Sequence, residues 1–242
     1  MEEKVKMPRK ALFAWSGGKD SALALHELQN NPEIRISALL TTIMENDDRV
    51  GMHGVRRPLV EQQAESIGLP LEKVFISANM SEQQYGAKMQ SVLERHAAHG
   101  VTAVAFGDVS LDDLRKHREA KLAEIGMAAI FPIWKRDTAE LAHAFVERGF
   151  KATITCVDTQ ALDRTFVGRA FDAEFLSALP PAADPCGENG EFHCFAYDGP
   201  IFRWRIPVTT GETVLRENRF YFCDLIPDQA KAPVARNGPT TS

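Results

Sequence analysis

The chain has 242 residues, of which 44% are hydrophobic and 25% charged, and its formal net charge at pH 7 is −5. That composition is ordinary for a globular protein, and the acidic balance excludes a chain-wide basic surface of the kind that binds nucleic acid. No apolar run is long enough to span a bilayer, and the charged start Met1–Lys6 has no signal-peptide core. The four cysteines are widely spaced without a C-x-x-C pair, which is typical of reduced thiols. We therefore expect a cytoplasmic protein with no membrane partner.

Strand-like and helix-like segments alternate through the first two thirds of the chain. The predicted strands are Ala11–Trp15, Ile34–Thr41, Lys73–Ile76, Thr102–Phe106, Met127–Phe131 and Ala152–Val157. The predicted helices are Ser21–Leu28, Leu59–Ile67, Glu82–His99, Asp112–Ile125 and Thr138–Glu147. This alternation predicts an α/β fold, with an open parallel sheet, right-handed crossovers and helices on both faces.

The pattern changes near residue 160. A short helix is predicted over Ala173–Leu179, followed by a loop rich in Gly and Pro over Ala182–Gly190. The strands predicted after it are Phe192–Tyr197, Ile201–Val208 and Thr213–Leu225, with turns at Asp198-Gly199-Pro200 and Thr210-Gly211. We therefore predict an α/β domain at 1–160, a smaller α+β domain at 161–226, and a disordered polar tail at 227–242.

The hexapeptide Ser16-Gly17-Gly18-Lys19-Asp20-Ser21 lies between the first predicted strand and the first predicted helix. Its two glycines let the backbone turn sharply and approach a ligand closely, and the helix that follows directs free N–H groups at the same point. Lys19 adds a mobile positive charge, while Ser16 and Ser21 add hydroxyl donors. We expect a polyphosphate site here. A purely structural turn in which Asp20 caps the helix is the alternative.

Two other strand ends carry small or polar residues. Thr41 and Thr42 follow the second predicted strand, and Gly107 and Asp108 follow the fourth. Ligands of open α/β sheets bind beyond the carboxyl ends of the strands, so these residues and the hexapeptide should share one crevice. Thr41 and Thr42 would meet a base or ribose, unless they merely end a strand. Asp108 would hold Mg²⁺ or a ribose hydroxyl.

Basic residues near these strand ends are candidates for binding a phosphate or carboxylate. His53 and Arg56 lie in a predicted loop, and Arg115 and Arg118 share one face of a predicted helix. The alternative is a solvated charged surface.

The segment Asp184–His193 has three carboxylates, an amide and an imidazole within ten residues. Such a cluster suits acid–base work on an amine nucleophile. We assign catalytic roles to Glu188, Glu191 and His193, and substrate binding to Asn189. A turn built on Asn and Gly is the structural alternative.

The hexapeptide resembles the signature of the PP-loop ATP pyrophosphatases, also described as adenine nucleotide alpha hydrolase-like proteins. That resemblance implies a Rossmann-like parallel sheet of the HUP type that binds ATP and breaks the bond between its α- and β-phosphates. Gly107-Asp108 with the helix after it, Pro132–Asp137 and Gly187–Phe192 extend the likeness to the diphthine–ammonia ligase branch, over residues 10 to about 225.

The ligase pattern at the last segment is G-E-G-G-E-[FY]-E-T. Here Asn189 replaces a glycine and His193-Cys194 replaces Glu-Thr, which resembles a bacterial-type subgroup and puts diphthine itself in doubt as the acceptor.

The resemblance implies a ligase that adenylates a carboxylate, releases pyrophosphate, and forms an amide with ammonia as AMP departs. Lys19 and Asp20 join the catalytic set, Asp20 and Asp108 are the candidate Mg²⁺ ligands, and the acceptor is a small molecule or is borne on a protein. The residues expected to bind ATP are Ser16, Gly17, Gly18, Lys19, Asp20, Ser21, Thr41, Thr42, Gly107 and Asp108. An RNA-modifying PP-loop enzyme and a non-catalytic adenine-nucleotide sensor are the alternatives, the former disfavoured by the acidic balance. We expect a homodimer.

Overall fold

Two β-sheets organise the structure, a computed structural model that describes residues 7–51 and 53–228. The elements of the first part are β1 Arg9–Ala14, α1 Lys19–Gln29, β2 Ile34–Met44, β3 Arg49–Val50, α2 Arg57–Ile67, β4 Leu71–Ile76, α3 Glu82–Ala97, β5 Ala103–Ala105, α4 Asp112–Ala123, β6 Ala128–Ile130 and α5 Thr138–Glu147. Those of the second part are β7 Lys151–Asp158, α6 Ala173–Ala178, β8 Phe192–Asp198, β9 Val208–Arg216 and β10 Phe220–Pro227.

The first sheet confirms the predicted α/β architecture. Its parallel strands run in the order β4, β2, β1, β5, β6, and the short β3 pairs antiparallel with the end of β2. Side chains that are adjacent on a strand point to opposite faces. Accordingly Leu12 packs with Leu93 of α3 and Leu122 of α4, whereas Phe13 packs in the cluster that contains Leu25 of α1. Helices therefore cover both faces of the sheet.

The second sheet is antiparallel in the order β8, β7, β10, β9. This corrects one prediction, because Ala152–Val157 reads as the next strand of the parallel sheet but pairs with β8 and β10 instead. The strand is almost entirely buried, and an apolar strand of this kind carries no signal for its pairing direction. The domain boundary near residue 160 stays a prediction, with the strand just before it belonging to the second sheet.

Three further predictions in this region are wrong. The strand predicted over Thr213–Leu225 is two strands, joined by a turn at Glu217 and Asn218, which both have positive φ. The turn predicted at Thr210-Gly211 lies inside β9, and residues 201–207 form no extended strand. Thr-Gly looks like a turn signal and Glu-Asn does not, but the native hairpin needs two left-handed residues where Glu-Asn stands.

The predicted tail at 227–242 lies outside the described residues from position 229 onward, as does the charged start at 1–6. Within the described part of the chain, no helix is long and apolar enough to cross a membrane.

Candidate functional site

The hexapeptide forms a tight loop between β1 and α1, as predicted. Gly17 has φ +82°, in the left-handed region that favours glycine. The hydroxyls of Ser16 and Ser21 lie 2.8 Å apart and close the loop across its base. Helix α1 begins at Lys19 with Gly18 as its N-cap and no side-chain cap, so Asp20 does not act as the cap.

The backbone of this loop has the features of an anion site. Among the described residues, the N–H groups of Asp20 and Ser21 have no acceptor, and the first helical bond is donated by Ala22 to the carbonyl of Gly18. Free N–H groups at a helix start, together with the positive end of the helix dipole, suit phosphate oxygens. The loop therefore suits an anion, and the triphosphate of ATP as that anion stays a prediction.

Lys19 is not the mobile charge that the sequence predicts. Its side chain is 5% exposed, with the ammonium bound to the carboxylate of Asp20 at 2.8 Å and to the carbonyl of Cys186. The rings of Phe192 and Phe171 lie 5.3 and 5.9 Å away. Burial would lower the pKa of Lys19, but the charges of Asp20, Cys186 and Cys194 and the hydrogen bond to Asp20 together outweigh it, so the pKa is raised. In this conformation Lys19 ties the loop to the second part of the chain.

Gln63 of α2 supports the hexapeptide loop through a hydrogen bond to its backbone. This residue was not identified from the sequence. It is fully buried, accepts from the indole of Trp15 at 2.8 Å and donates to the carbonyls of Gly17 and Ala196. The backbone N–H of Ala196 also donates to the carbonyl of Gly17 at 2.8 Å. A glutamine on a helix has no local pattern to mark it, since its partners are 46 to 133 residues away.

Gly107 and Asp108, after β5, lie beside the same loop. A Cβ on Gly107 would be 3.0 Å from the backbone of Ser21, so only glycine allows this close approach. Asp108 forms an ion pair with Arg118 of α4 at 3.0 Å. Burial raises the pKa of Asp108, Arg118 opposes the shift, and the charge of Asp20 adds to it. The guanidinium of Arg118 also lies 4.1 Å from the ring centre of Phe106.

Thr41 and Thr42 lie inside β2 rather than at its end, because the strand continues to Met44. In the sheet they still lie beyond the carboxyl end of β1, because the pairing of β1 with β2 ends at Ala14 and Leu40. Thr41 is buried, and within the described ranges its hydroxyl has no hydrogen-bond partner. The proposed contact with a base or ribose stays a prediction.

The loop Asp184–His193, here called the acid loop, is held together by its own polar groups. Glu191 is 4% exposed and accepts from the backbone N–H groups of Asp184 and Asn189 and from the side-chain amide of Asn189. Asp184 in turn accepts from the backbone of Cys186 and Glu188 and from the hydroxyl of Thr138. The surroundings of Glu191 and Asn189 thus favour a role in shaping the loop, and their catalytic and substrate roles stay predictions.

Glu188 differs from the other acids of this loop because it turns toward the hexapeptide. Its carboxylate accepts from the hydroxyl of Ser110 at 3.1 Å. Burial raises the pKa of Glu188, and the neighbouring charge of Asp20 raises it further. A carboxyl group with a raised pKa beside a phosphate site is suited to accept a proton.

His193 and His53 meet although 140 positions separate them in sequence. Their ring centres are 4.9 Å apart in an edge-to-face arrangement. Burial, with the nearby His193 and Lys19, lowers the pKa of His53 to about 3. Burial and Lys19 also lower the pKa of His193. Both rings are therefore neutral near pH 7.

The two remaining basic candidates are engaged with protein groups. Arg56 binds Asp224 of β10 through two nitrogens, with a closest distance of 2.5 Å. Arg115 donates to Glu119, and its guanidinium lies 4.9 and 4.8 Å from the ring centres of Phe131 and Trp134. Their assignment to substrate binding stays a prediction.

A parallel sheet with a glycine turn and free amide groups at a helix start defines an α/β protein of the PP-loop type. The family model of the diphthamide synthase N-terminal domain matches residues 9–129, and that of the diphthamide synthase C-terminal domain matches residues 137–225. The chain belongs to the diphthamide synthase family, which confirms the resemblance found in its sequence.

Two relatives are diphthine–ammonia ligases. The chain is 27% identical over 227 residues to that of Schizosaccharomyces pombe, covering 85% of this chain and 37% of the yeast protein. It is 25% identical over 175 residues to that of Danio rerio, covering 66% of this chain and 68% of the fish protein. The chain thus spans little more than a third of the length of the yeast relative.

Proposed function

We propose that this chain is an ATP-dependent ligase that adenylates a carboxylate and then joins it to ammonia. The proposal rests on the N–H groups of Asp20 and Ser21 at the start of α1, which have no acceptor in the described part of the chain. The acids that accompany them are Asp20, Asp108 and Glu188. The charge of Asp20 adds to the raised pKa of both Asp108 and Glu188, so each of these carboxyls interacts electrostatically with Asp20. Family membership and the names of the relatives point to the same chemistry.

The first step is attack of a carboxylate oxygen on the α-phosphorus, which breaks the bond to the β-phosphate and releases pyrophosphate. Negative charge then grows on the departing phosphates. The N–H groups of Asp20 and Ser21, fixed before the reaction by the loop, stabilise that charge without reorganising. The hydroxyls of Ser16 and Ser21 line the same loop.

Mg²⁺ suits this site although the described residues contain no group of three His, Cys, Asp or Glu side chains placed to hold a metal ion. Magnesium commonly binds through one or two carboxylates plus phosphate oxygens, so a dense protein cage is not required. Asp20 and Asp108 are the ligands we propose. The ion would supply charge neutralisation between phosphate oxygens.

In the second step the ammonia nitrogen attacks the acyl carbon, the bond to the AMP oxygen breaks, and the nitrogen loses a proton. Glu188 is the residue we assign to receive that proton, because it is the acid of its loop that faces the hexapeptide. Proximity of the nucleophile to the acyl group is the other contribution of the acid loop.

Diphthine is the first acceptor to test because it is named in both relatives. Two of the residues that differ from the ligase pattern, Asn189 and Cys194, form hydrogen bonds within the protein. The amide of Asn189 binds Glu191, and the sulfur of Cys194 accepts from the backbone N–H of Lys19 at 3.4 Å. These replacements therefore leave the hexapeptide intact, while the acceptor and the bacterial-type subgroup stay predictions.

The test is to follow ATP labelled at the α- and γ-phosphates with the purified chain, ammonium and a diphthine-bearing protein. We expect AMP and pyrophosphate to form together, and only when the acceptor is present. Release of ADP and orthophosphate would contradict the proposal. Tight ATP binding without turnover, over a panel of carboxylic acids, would favour the sensor alternative.

A further inference from the structure

A small cavity lies between the segment before α2 and the second sheet. Its volume is about 20 Å³, and its walls include His53 and Val55 on one side and Thr155, Val214 and Phe222 on the other. A cavity of roughly 10–15 Å³ or more can hold one water-sized molecule. This cavity therefore accommodates a molecule with a single non-hydrogen atom and nothing much larger.

Two buried polar atoms of residues that line it have no hydrogen-bond partner among residues 7–51 and 53–228. These are the hydroxyl of Thr155, a residue that is 3% exposed, and Nδ1 of His53. Buried polar atoms are rarely left unpaired, because losing their solvation without a replacement bond is costly. Both residues line the same small cavity, so a small polar occupant that can donate or accept hydrogen bonds would pair with these two atoms.

The charges around the cavity disfavour a cation. Arg49 and Arg216 contribute to the wall, and the carboxylate of Asp224 is already bound by Arg49 and Arg56. His53 itself is neutral. An uncharged occupant therefore fits better than an ammonium ion.

The imidazole ring of His53 connects the cavity to the acid loop. His53 borders the cavity and contacts His193 with ring centres 4.9 Å apart. The residue after His193 is Cys194, whose sulfur accepts from the backbone N–H of Lys19 in the hexapeptide. The cavity is thus linked by direct contacts to the hexapeptide, where we place the phosphates of ATP.

We propose that this cavity is a binding site for uncharged ammonia, held by the Thr155 hydroxyl and Nδ1 of His53. Ammonia has one non-hydrogen atom, three N–H donors and one lone pair, which matches the size and the two unpaired wall atoms. The inference rests on the proposed function in that ammonia is the nucleophile there. It makes Thr155 a positioning residue that the sequence gives no reason to choose.

The test uses the full chain with ¹⁵N-labelled histidine and a long-range ¹H–¹⁵N correlation spectrum. Ammonium chloride is titrated at mildly alkaline pH against sodium chloride of equal concentration. We expect a saturable shift of the His53 Nδ1 resonance with ammonium chloride only. An equal response to both salts would overturn the proposal and leave a cavity that holds only water.

Variants of Thr155 sharpen this test. Thr155→Val keeps the shape but removes the hydroxyl, and should raise the half-saturating ammonium concentration about five- to tenfold, the effect of one lost hydrogen bond. Thr209→Val, at an exposed position of β9, is the matched control and should leave it unchanged. Thr155→Ser should restore tight binding. An equal half-saturating ammonium concentration in Thr155→Val and the native chain would contradict the assignment. If Thr155→Val does not fold, the comparison of ammonium chloride with sodium chloride on the native chain tests the proposal.

Kinetics separate this inference from the proposed function. In Thr155→Val the KM for ammonium should rise while the KM for ATP stays the same. An unchanged KM for ammonium in an enzyme that still forms AMP overturns the ammonia site alone. Failure to form AMP with any acceptor overturns the proposed function, and the histidine titration then still reports on the cavity.

Discussion

The hexapeptide and the acid loop are both short, polar and rich in glycine, but they use their polar groups in opposite ways. The first leaves the N–H groups of Asp20 and Ser21 free of protein acceptors among the described residues. The second bonds its polar groups to one another, with Glu191 alone accepting three hydrogen bonds. A loop built to receive a ligand keeps donors unpaired, whereas a loop built to hold a shape pairs them.

This difference explains why composition is a poor guide to catalytic acids. Glu188 and Glu191 are three positions apart and chemically identical, but only Glu188 faces Ser110 and the hexapeptide. The four experiments below test the contrast between the two loops, in order of decreasing expected effect.

Gly17→Ala should disable the hexapeptide. The added Cβ would lie 2.8 Å from Oε1 of Gln63, at a backbone φ of +82°. Left-handed strain of roughly 1–2 kcal/mol for a residue with Cβ, added to displacement of Gln63, should weaken ATP binding by about 100-fold or more. Calorimetric titration with ATP measures the loss. Gly86→Ala is the matched control, because nothing lies within 4 Å of its Cβ and alanine favours helix α3. Native affinity in Gly17→Ala would show that the turn is not essential for binding.

Glu191→Ala should destabilise the protein more than it impairs chemistry. Removing the carboxylate leaves the backbone N–H groups of Asp184 and Asn189 without acceptors, for a loss of about 3 kcal/mol in the free energy of unfolding. Urea unfolding measures it. Glu191→Gln keeps one acceptor oxygen and should lose about half as much.

Glu188→Gln is the companion variant and should unfold like the native chain but form the amide more slowly. If Glu191→Gln instead folds normally and loses ligation, then Glu191 is the catalytic acid and the contrast between the two loops fails.

Gln63→Leu tests whether the hexapeptide depends on the hydrogen bond from the Gln63 side chain to the carbonyl of Gly17. The change leaves the buried indole N–H of Trp15 and the carbonyl of Gly17 with fewer partners, so the free energy of unfolding should fall by about 2 kcal/mol. ATP affinity should fall as well. Gln62→Leu on the same helix is the control. An unchanged ATP affinity in Gln63→Leu would mean that the loop keeps its geometry without this residue.

Asp224 of β10 links the two sheets through Arg49 and Arg56, and its substitution should show the smallest effect. Burial opposes ionisation, but hydrogen bonds from Arg56 and Arg49 lower its pKa below the ordinary 3.8. Since the folded-state pKa is the lower one, the stabilisation is complete above the unfolded-state pKa and is lost as pH falls through the folded-state value. Asp224→Asn should therefore cost about 1 kcal/mol near pH 7 and progressively less in acid. Urea unfolding over a pH series measures it, and a difference that persists at low pH would contradict the mechanism.

The sequence predicts most of the fold and the hexapeptide because both depend on local signals. The alternation of strands and helices, and a glycine turn between β1 and α1, are visible in neighbouring residues. The pairing of β7 cannot be predicted from neighbouring residues, since a buried apolar strand fits either sheet. The role of Gln63 cannot be predicted in this way either, because its partners Trp15, Gly17 and Ala196 are distant in sequence. The buried position of Lys19 depends on Cys186 and Phe192, which only the fold brings near.

The carbonyl of Gly17 accepts from the backbone of Ala196 in β8 and from Gln63. One atom of the hexapeptide is therefore shared with the second sheet. By thermodynamic linkage, a ligand that shifts β8 and thereby changes ATP affinity has its own affinity changed by ATP by the same factor. Amide hydrogens of β8 would then exchange more slowly once nucleotide is bound. We therefore expect an acceptor that contacts β8 to change the affinity for nucleotide.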